Sequence, residues 1–435
     1  MNVRKFIIVS LVLILGFLLR FHNYDVYPQR GATSDEYTYS FLGLSLLTKG
    51  VPISWSHFGA YKNRREVIID TINFPLVQPY FDHPPLAGIL VGSWALVNGE
   101  DTFESLQLST IRIIPLVLSV FSSILLFLLA YRLTNYITAL WALLIYSTVT
   151  IFAIQSRVVL AENVLTPIFL IAAYLYHCWK KQMTPSKVLV LGFFAGAAFW
   201  VKEAGIALFL SLSLLFLREK VKKQYFTIFI CTVMLAVVGY ALYGARFGWE
   251  TFINIINLQG TRDVGPQTLW NLISTPVIVN KIYYDGWYYF GFFSLALLLS
   301  RLKQYLHVIT PALIYFLFLL FSLTKEGMSG WYMIPMFPFM AIASAIVLQR
   351  AVETVDLTYV TFLLLVGFSF VQYSFQRVFG LTGGQYRIFF VLLIVPFVLS
   401  FFLQTTKFAR ILAHIYFYVA IGISTYATLY YVHPV

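Results

Sequence analysis

The chain has 435 residues, of which 60% are hydrophobic, 18% aromatic and only 11% charged. A soluble domain carries about a quarter charged residues, so residues 1–435 read as a single membrane domain with no separate soluble unit. The formal net charge of +12 suits contact with anionic membrane lipids. It does not point to nucleic acid, because no basic stripe lies in a soluble module that could track a phosphate backbone.

Apolar runs of about 20 residues can cross a hydrocarbon core of roughly 30 Å. They are expected at 6–22, 110–132, 136–156, 163–179, 187–201, 204–217, 223–245, 286–302, 305–323, 330–349, 356–375, 387–403 and 409–431. The fold class is therefore an all-α polytopic membrane protein with about thirteen transmembrane helices. No small-residue cleavage site follows the first run, so it is read as a retained helix. Cys178 and Cys231 both fall inside spans, which argues against a disulfide framework.

Basic residues set the orientation. Arg4 and Lys5 precede the first helix. Lys180, Lys181 and Lys187, then Arg218, Lys220, Lys222 and Lys223, then Arg301 and Lys303, then Lys407 and Arg410 fall on alternate loops. All can be cytoplasmic together, which leaves the long 23–109 loop outside. Within that loop Pro84 to Asn98 is apolar for only about 14 residues, a length that favours a helix lying at the outer surface over a span.

The 23–109 loop also carries the chemistry. Ser34-Asp35-Glu36-Tyr37 follows the first helix, and Phe81-Asp82-His83-Pro84-Pro85-Leu86 precedes the surface helix. A positioned carboxylate can take a proton from a hydroxyl, so Asp35, Glu36, Asp82 and His83 are candidate catalytic residues. The bland alternative is that Ser34 and Asp35 only serve the start of a helix over 35–48, where carboxylates favour the dipole. Asp35, Asp82 and His83 are also candidate ligands for a divalent cation.

Other ionisable residues gather at outer helix ends rather than mid-span, which weakens a pump or transporter reading. Arg112, Arg157, Lys202 and Lys325 are candidate ligands for a lipid phosphate, against the alternative of headgroup anchoring. Glu162 lies among them. Tyr284 and Trp287, in the aromatic run 283–289, could stack on a sugar ring or an isoprenoid tail, or serve an interfacial belt. Trp331 and Tyr332 begin a Gly330–Pro338 stretch whose two prolines distort a helix start, which is tolerated where it lines a cavity.

Taken in order, these motifs resemble the GT-C superfamily of membrane glycosyltransferases, in the branch of protein O-mannosyltransferases and the lipid A aminoarabinose transferase. Asp35-Glu36 resembles the family's outer-loop acidic motif, and Asp82-His83-Pro84-Pro85-Leu86 its His-Pro-Pro or Lys-Pro-Pro element before a juxtamembrane helix. Arg112 with Pro115, Arg157 to Glu162, Lys202, and Lys325 with Tyr332 to Pro338 resemble its later elements. The likeness implies a GT-C fold with juxtamembrane helices in the first outer loop. It also implies transfer, with inversion, of a sugar from a polyprenyl-phosphate carrier to a lipid, glycan or protein acceptor on the outer face. Asp35 would be the base, and the outer Lys and Arg would neutralise the departing phosphate. The missing luminal domain favours a prokaryotic enzyme of the plasma membrane. A lipid or solute transporter is the alternative, although inverted repeats are not evident.

Overall fold

The computed structural model describes residues 2–69, 72–261, 263–324, 330–367, 381–402 and 407–434. Helix α1 (Val3–Phe21) is followed by a long loop holding α2 (Asp35–Lys49), α3 (Leu86–Val97) and the single turn α4 (Leu108–Ile111). Seven helices then follow with short connections: α5 (Ile113–Leu133), α6 (Tyr136–Thr148), α7 (Thr150–Gln155), α8 (Ala161–Trp179), α9 (Pro185–Val201), α10 (Ile206–Arg218) and α11 (Lys223–Gly260). The remainder comprises α12 (Gln267–Ser274), α13 (Gly286–Leu299), α14 (Leu302–Ser322), α15 (Phe337–Thr354), α16 (Leu357–Phe362), α17 (Gly383–Phe402) and α18 (Lys407–Leu429).

Among the described residues five helical runs are long and apolar enough to cross a membrane: Leu108–Leu133, Lys223–Gly260, Leu302–Ser322, Gly330–Thr354 and Lys407–Leu429. The expected thirteen are not reached by length and composition, because α6, α9 and α13 have 13, 17 and 14 residues. The expected span 136–156 breaks at Val149, whose extended backbone (φ −66°, ψ 124°) separates α6 from α7. Helix α11 runs past the expected end at 245, across a break at Gly248 (φ 148°). That φ is open to glycine and strained for any residue with a side chain. Residues 368–375 of the expected span 356–375, and residue 403 of the span 387–403, lie outside the described residues.

The described residues are all-α as expected, apart from two small ladders in loops. Strands β1 (Ser54–Trp55), β2 (Arg64–Ile69) and β3 (Ile72–Val77) form an antiparallel sheet in the order β1-β3-β2, with Arg65 opposite Leu76 and Val67 opposite Phe74. A two-stranded ladder joins β4 (Val277–Ile278) to β5 (Lys281–Ile282). The 6-residue runs are β-branched enough to pair, and Val67, Phe74 and Leu76 bury their side chains in the main core.

Helices α2 and α3 pack backbone to backbone. A methyl carbon on Gly43 would lie 1.8 Å from the carbonyl oxygen of Gly88, and one on Gly92 would lie 2.2 Å from the amide nitrogen of Leu44. Only glycine permits this approach, which holds Asp35, at the start of α2, in fixed relation to Asp82 and His83, just ahead of α3. Gly92→Val is therefore expected to force the two helices apart at a cost of about 1–3 kcal/mol or more. Its Tm in detergent should fall by several degrees, and an unchanged Tm would refute the close packing.

Candidate active site

Consecutive helical residues diverge by about 100° around the axis, and the first turn of α2 uses this to separate its two carboxylates. Glu36 turns inward and is buried. Its Oε1 accepts Arg112 Nε at 2.8 Å and the Val159 amide at 3.0 Å, while Oε2 accepts Arg112 Nη2 at 2.6 Å. Arg112 also donates to the carbonyls of Tyr24 at 2.6 Å and Pro28 at 2.8 Å. This bidentate, charge-assisted pair joins α2, the 22–28 loop and the start of α5. Arg112 is thus a buried partner of Glu36, with 0% of its side chain exposed, and not a ligand open to a lipid phosphate.

Asp35 stands differently. The N-cap residue Ser34 makes no side-chain cap bond, and the Asp35 amide donates to Thr33 Oγ1 at 3.2 Å. The Asp35 carboxylate itself accepts no hydrogen bond and forms no ion pair among the described residues. It does not cap its helix. Burial pushes its pKa up to about 6; Lys202 opposes that rise, and Glu162 and Glu36 add to it. A half-buried carboxylate without a partner, titrating close to neutrality, is suited to general-base work.

The neighbouring charges come from two helix ends. Glu162, in the first turn of α8, accepts Lys202 Nζ at 2.6 Å on Oε1. Lys202, the residue after α9, also lies with its ammonium 4.8 Å from the centre of the Tyr332 ring. The second oxygen of Glu162, Oε2, is buried with no partner among the described residues. The same is true of the indole nitrogen of Trp331, which is half-buried beside Tyr332. Glu162, Lys202 and Tyr332 therefore belong to one constellation with Asp35, and Trp331 adjoins it through the Tyr332 ring.

Asp82 and His83 flank it. Asp82 Oδ1 accepts the Tyr61 hydroxyl at 2.6 Å, and its backbone carbonyl accepts Gln259 Nε2 at 2.7 Å, tying the loop to the end of α11. His83 stacks on Tyr39 with ring centres 5.0 Å apart. Among the described residues no group of three His, Cys, Asp or Glu side chains is placed to hold a metal ion.

Arg157 and Trp287 are both buried, and the Nε of Arg157 has no hydrogen-bond partner among the described residues. Arg157 is 1% exposed and donates to the carbonyls of Leu19, His22, Asn23 and Tyr27. These carbonyls close the end of α1, where a cation opposes the negative end of the helix dipole. Trp287 is 0% exposed, donates its indole N–H to Ser424 Oγ at 3.1 Å, and packs against Phe290, Phe362 and Phe417. It is a core residue. Tyr284 is 41% exposed. Lys325 lies outside the described residues. The sequence reading missed Arg20, which is buried and donates to Ser156 Oγ and to the carbonyls of Gly16, Ser147 and Tyr146. An arginine one turn from a helix end, inside an apolar run, was the available signal.

Residues 82–243 match the model of the dolichyl-phosphate-mannose-protein mannosyltransferase family. That stretch contains Asp82, His83, Arg112, Arg157, Glu162 and Lys202, while Asp35 precedes it. No curated protein sequence matches the chain significantly. Several solved structures are similar. ArnT from Cupriavidus metallidurans bound to undecaprenyl phosphate aligns over 97% of this chain and 76% of that one, at 14% identity and a TM-score of 0.59. Arabinosyltransferase EmbB from Mycobacterium smegmatis aligns over 99% of this chain and 40% of that one, at 14% identity and a TM-score of 0.58. The archaeal oligosaccharyltransferase AglB from Archaeoglobus fulgidus, in complex with an inhibitory peptide and a dolichol-phosphate, aligns over 97% and 56%, at 11% identity and a TM-score of 0.52. This chain has the fold of the GT-C membrane glycosyltransferases and, among them, resembles the protein O-mannosyltransferase and ArnT branch.

Proposed function

We propose that this chain is an inverting glycosyltransferase that moves a sugar from a polyprenyl-phosphate carrier to an acceptor hydroxyl on the outer face of a prokaryotic plasma membrane. The observation that carries the reading is the Asp35 carboxylate, without a hydrogen-bond partner among the described residues and beside the Lys202–Glu162 pair. The ArnT and AglB structures, with undecaprenyl phosphate and a dolichol-phosphate, support the class of donor. The alternation of basic loops supports the outward-facing site.

In the proposed step the acceptor oxygen attacks the anomeric carbon from the face opposite the lipid phosphate. Asp35 takes the hydroxyl proton as the new C–O bond forms. The bond between the anomeric carbon and the phosphate oxygen breaks, and the electron pair leaves with the polyprenyl phosphate. Lys202 offsets the growing charge on that oxygen, an interaction that strengthens as the charge develops. Lys325, assigned from sequence alone, is proposed to share this task. Arg112, paired with Glu36, is given a supporting role instead.

The test is to incubate the purified protein with a panel of polyprenyl-phosphate sugars and lipid, glycan and peptide acceptors, and to detect free polyprenyl phosphate by mass spectrometry. Acceptor-dependent release is expected for at least one donor, and release from none would overturn the function. A pH dependence follows from Asp35. The base is its ionised form, and with a pKa near 6 that form is lost as pH falls. kcat/KM should be flat above about pH 7 and fall toward tenfold per pH unit below about pH 5. An acid limb centred near 4, the ordinary carboxylate value, would contradict the assignment.

A further inference from the structure

Buried polar atoms without partners are rare in natural proteins, since each costs free energy that a hydrogen bond would recover. Three of them lie at the Lys202–Glu162 pair, namely Glu162 Oε2 and the hydroxyls of Tyr39 and Tyr315; a fourth, the Trp331 indole nitrogen, belongs to the residue before Tyr332, whose ring meets Lys202. None has a hydrogen-bond partner among the described residues. They are supplied by four separate elements: α8, the 3₁₀ turn Gly330–Met336, α2 and α14. Tyr39 lies within electrostatic reach of Glu162, Asp35 and Tyr332, and Tyr315 within reach of Glu162 and Tyr332. The Trp331 and Tyr332 ring centres are 5.9 Å apart.

The donor and acceptor types restrict what could satisfy this set. The Glu162 oxygen, on an ionised side chain, only accepts, so it needs a hydroxyl or an ammonium opposite. The indole N–H only donates, and so needs a lone pair. The two phenols can do either. A polyprenyl tail offers neither function. A phosphate dianion offers acceptors alone and would face Glu162 with like charge. A sugar ring offers hydroxyl donors and oxygen acceptors on one compact body.

Resting on the function proposed above, we infer that Glu162, Trp331, Tyr39 and Tyr315 form the subsite for the transferred sugar ring, and that the ring must present a free hydroxyl or amino group to Glu162. Donors deoxygenated or O-alkylated at that position are rejected, because a site built around hydrogen bonds penalises the analogue that leaves them unmade. Tyr39 and Tyr315 are thereby assigned as sugar-binding residues, selected by hydroxyls that the fold leaves unsatisfied.

The test is Tyr39→Phe and Tyr315→Phe, assayed with the donor that the wild-type protein turns over. Phenylalanine keeps the ring contacts, with His83 at 5.0 Å for Tyr39 and with Phe169 at 5.5 Å for Tyr315. Removing a hydroxyl that has no partner should leave Tm unchanged or higher, while kcat/KM for the donor falls about 5- to 100-fold through the sugar hydroxyl left unpaired. Affinity for sugar-free polyprenyl phosphate should not change. A lower Tm with unchanged donor kinetics would make the hydroxyls structural and overturn the subsite, as would unchanged kinetics at unchanged Tm. Weakened binding of sugar-free polyprenyl phosphate would make them phosphate ligands instead. The failures are distinguishable: wild-type protein that turns over no donor overturns the function itself, whereas active wild type with two unaffected variants overturns this subsite alone.

Discussion

Glu36→Ala and Arg112→Ala are each expected to remove most folded protein from the membrane. Each leaves the other charge buried with its partner gone, since the two side chains are 1% and 0% exposed and joined at 2.6 Å. Breaking such a pair costs about 3–5 kcal/mol, a large share of a total stability of about 5–15 kcal/mol. Arg112 would still hold the carbonyls of Tyr24 and Pro28, so Glu36→Gln should be milder than Glu36→Ala. The measurement is the yield of monodisperse protein in detergent and its Tm. If Arg112→Ala kept a wild-type Tm and lost only donor affinity, Arg112 would be a phosphate ligand after all, as its place at an outer helix end suggested.

Asp35→Asn should do the opposite. Turnover is expected to fall by a factor of about 10² to 10⁴, the usual loss on removing a general base, with the protein folded and donor still bound. Stability follows from the direction of the pKa shift. The folded-state value of about 6 lies above the ordinary 3.8, so the stabilisation that comes from binding the proton is present at low pH and lost as pH rises through 6. At pH 7–8 the wild type carries an ionised, half-buried carboxylate that the asparagine variant lacks. Asp35→Asn should therefore be at least as stable as wild type there. A variant that folds, binds donor and transfers sugar at a near-normal rate would make Asp35 a structural residue.

The divergence of Asp35 and Glu36 was legible in the sequence, because neighbours on a helix cannot share a face. Which of the two turns inward was not, since that depends on Arg112 and the Val159 amide. The arginines were not legible in the same way. Arg112 and Arg157 stand beside helix ends, and the sequence does not distinguish a guanidinium facing a cavity from one turned onto backbone carbonyls and a carboxylate. Trp287 misled for a related reason: an aromatic run at a helix start suits an interfacial belt or a sugar platform, yet this side chain faces Phe362 and Phe417. The strands at 64–69 and 72–77 were hidden by Arg64, Arg65 and Glu66, charged residues of modest strand preference whose pairing depends on the partner strand. Tyr39 and Tyr315 carried no local signal, since a hydroxyl without a partner is a property of the packed molecule.

The account stands most directly on the state of one carboxyl group, which can be measured without knowing the substrate. The difference infrared spectrum of wild-type protein minus Asp35→Asn, recorded from pH 4 to pH 8, isolates the Asp35 carboxyl stretch. The account predicts a protonated band that disappears with a midpoint near pH 6. A midpoint at or below about 4, the value of an ordinary aspartate, would contradict it and return Asp35 to a surface or capping role.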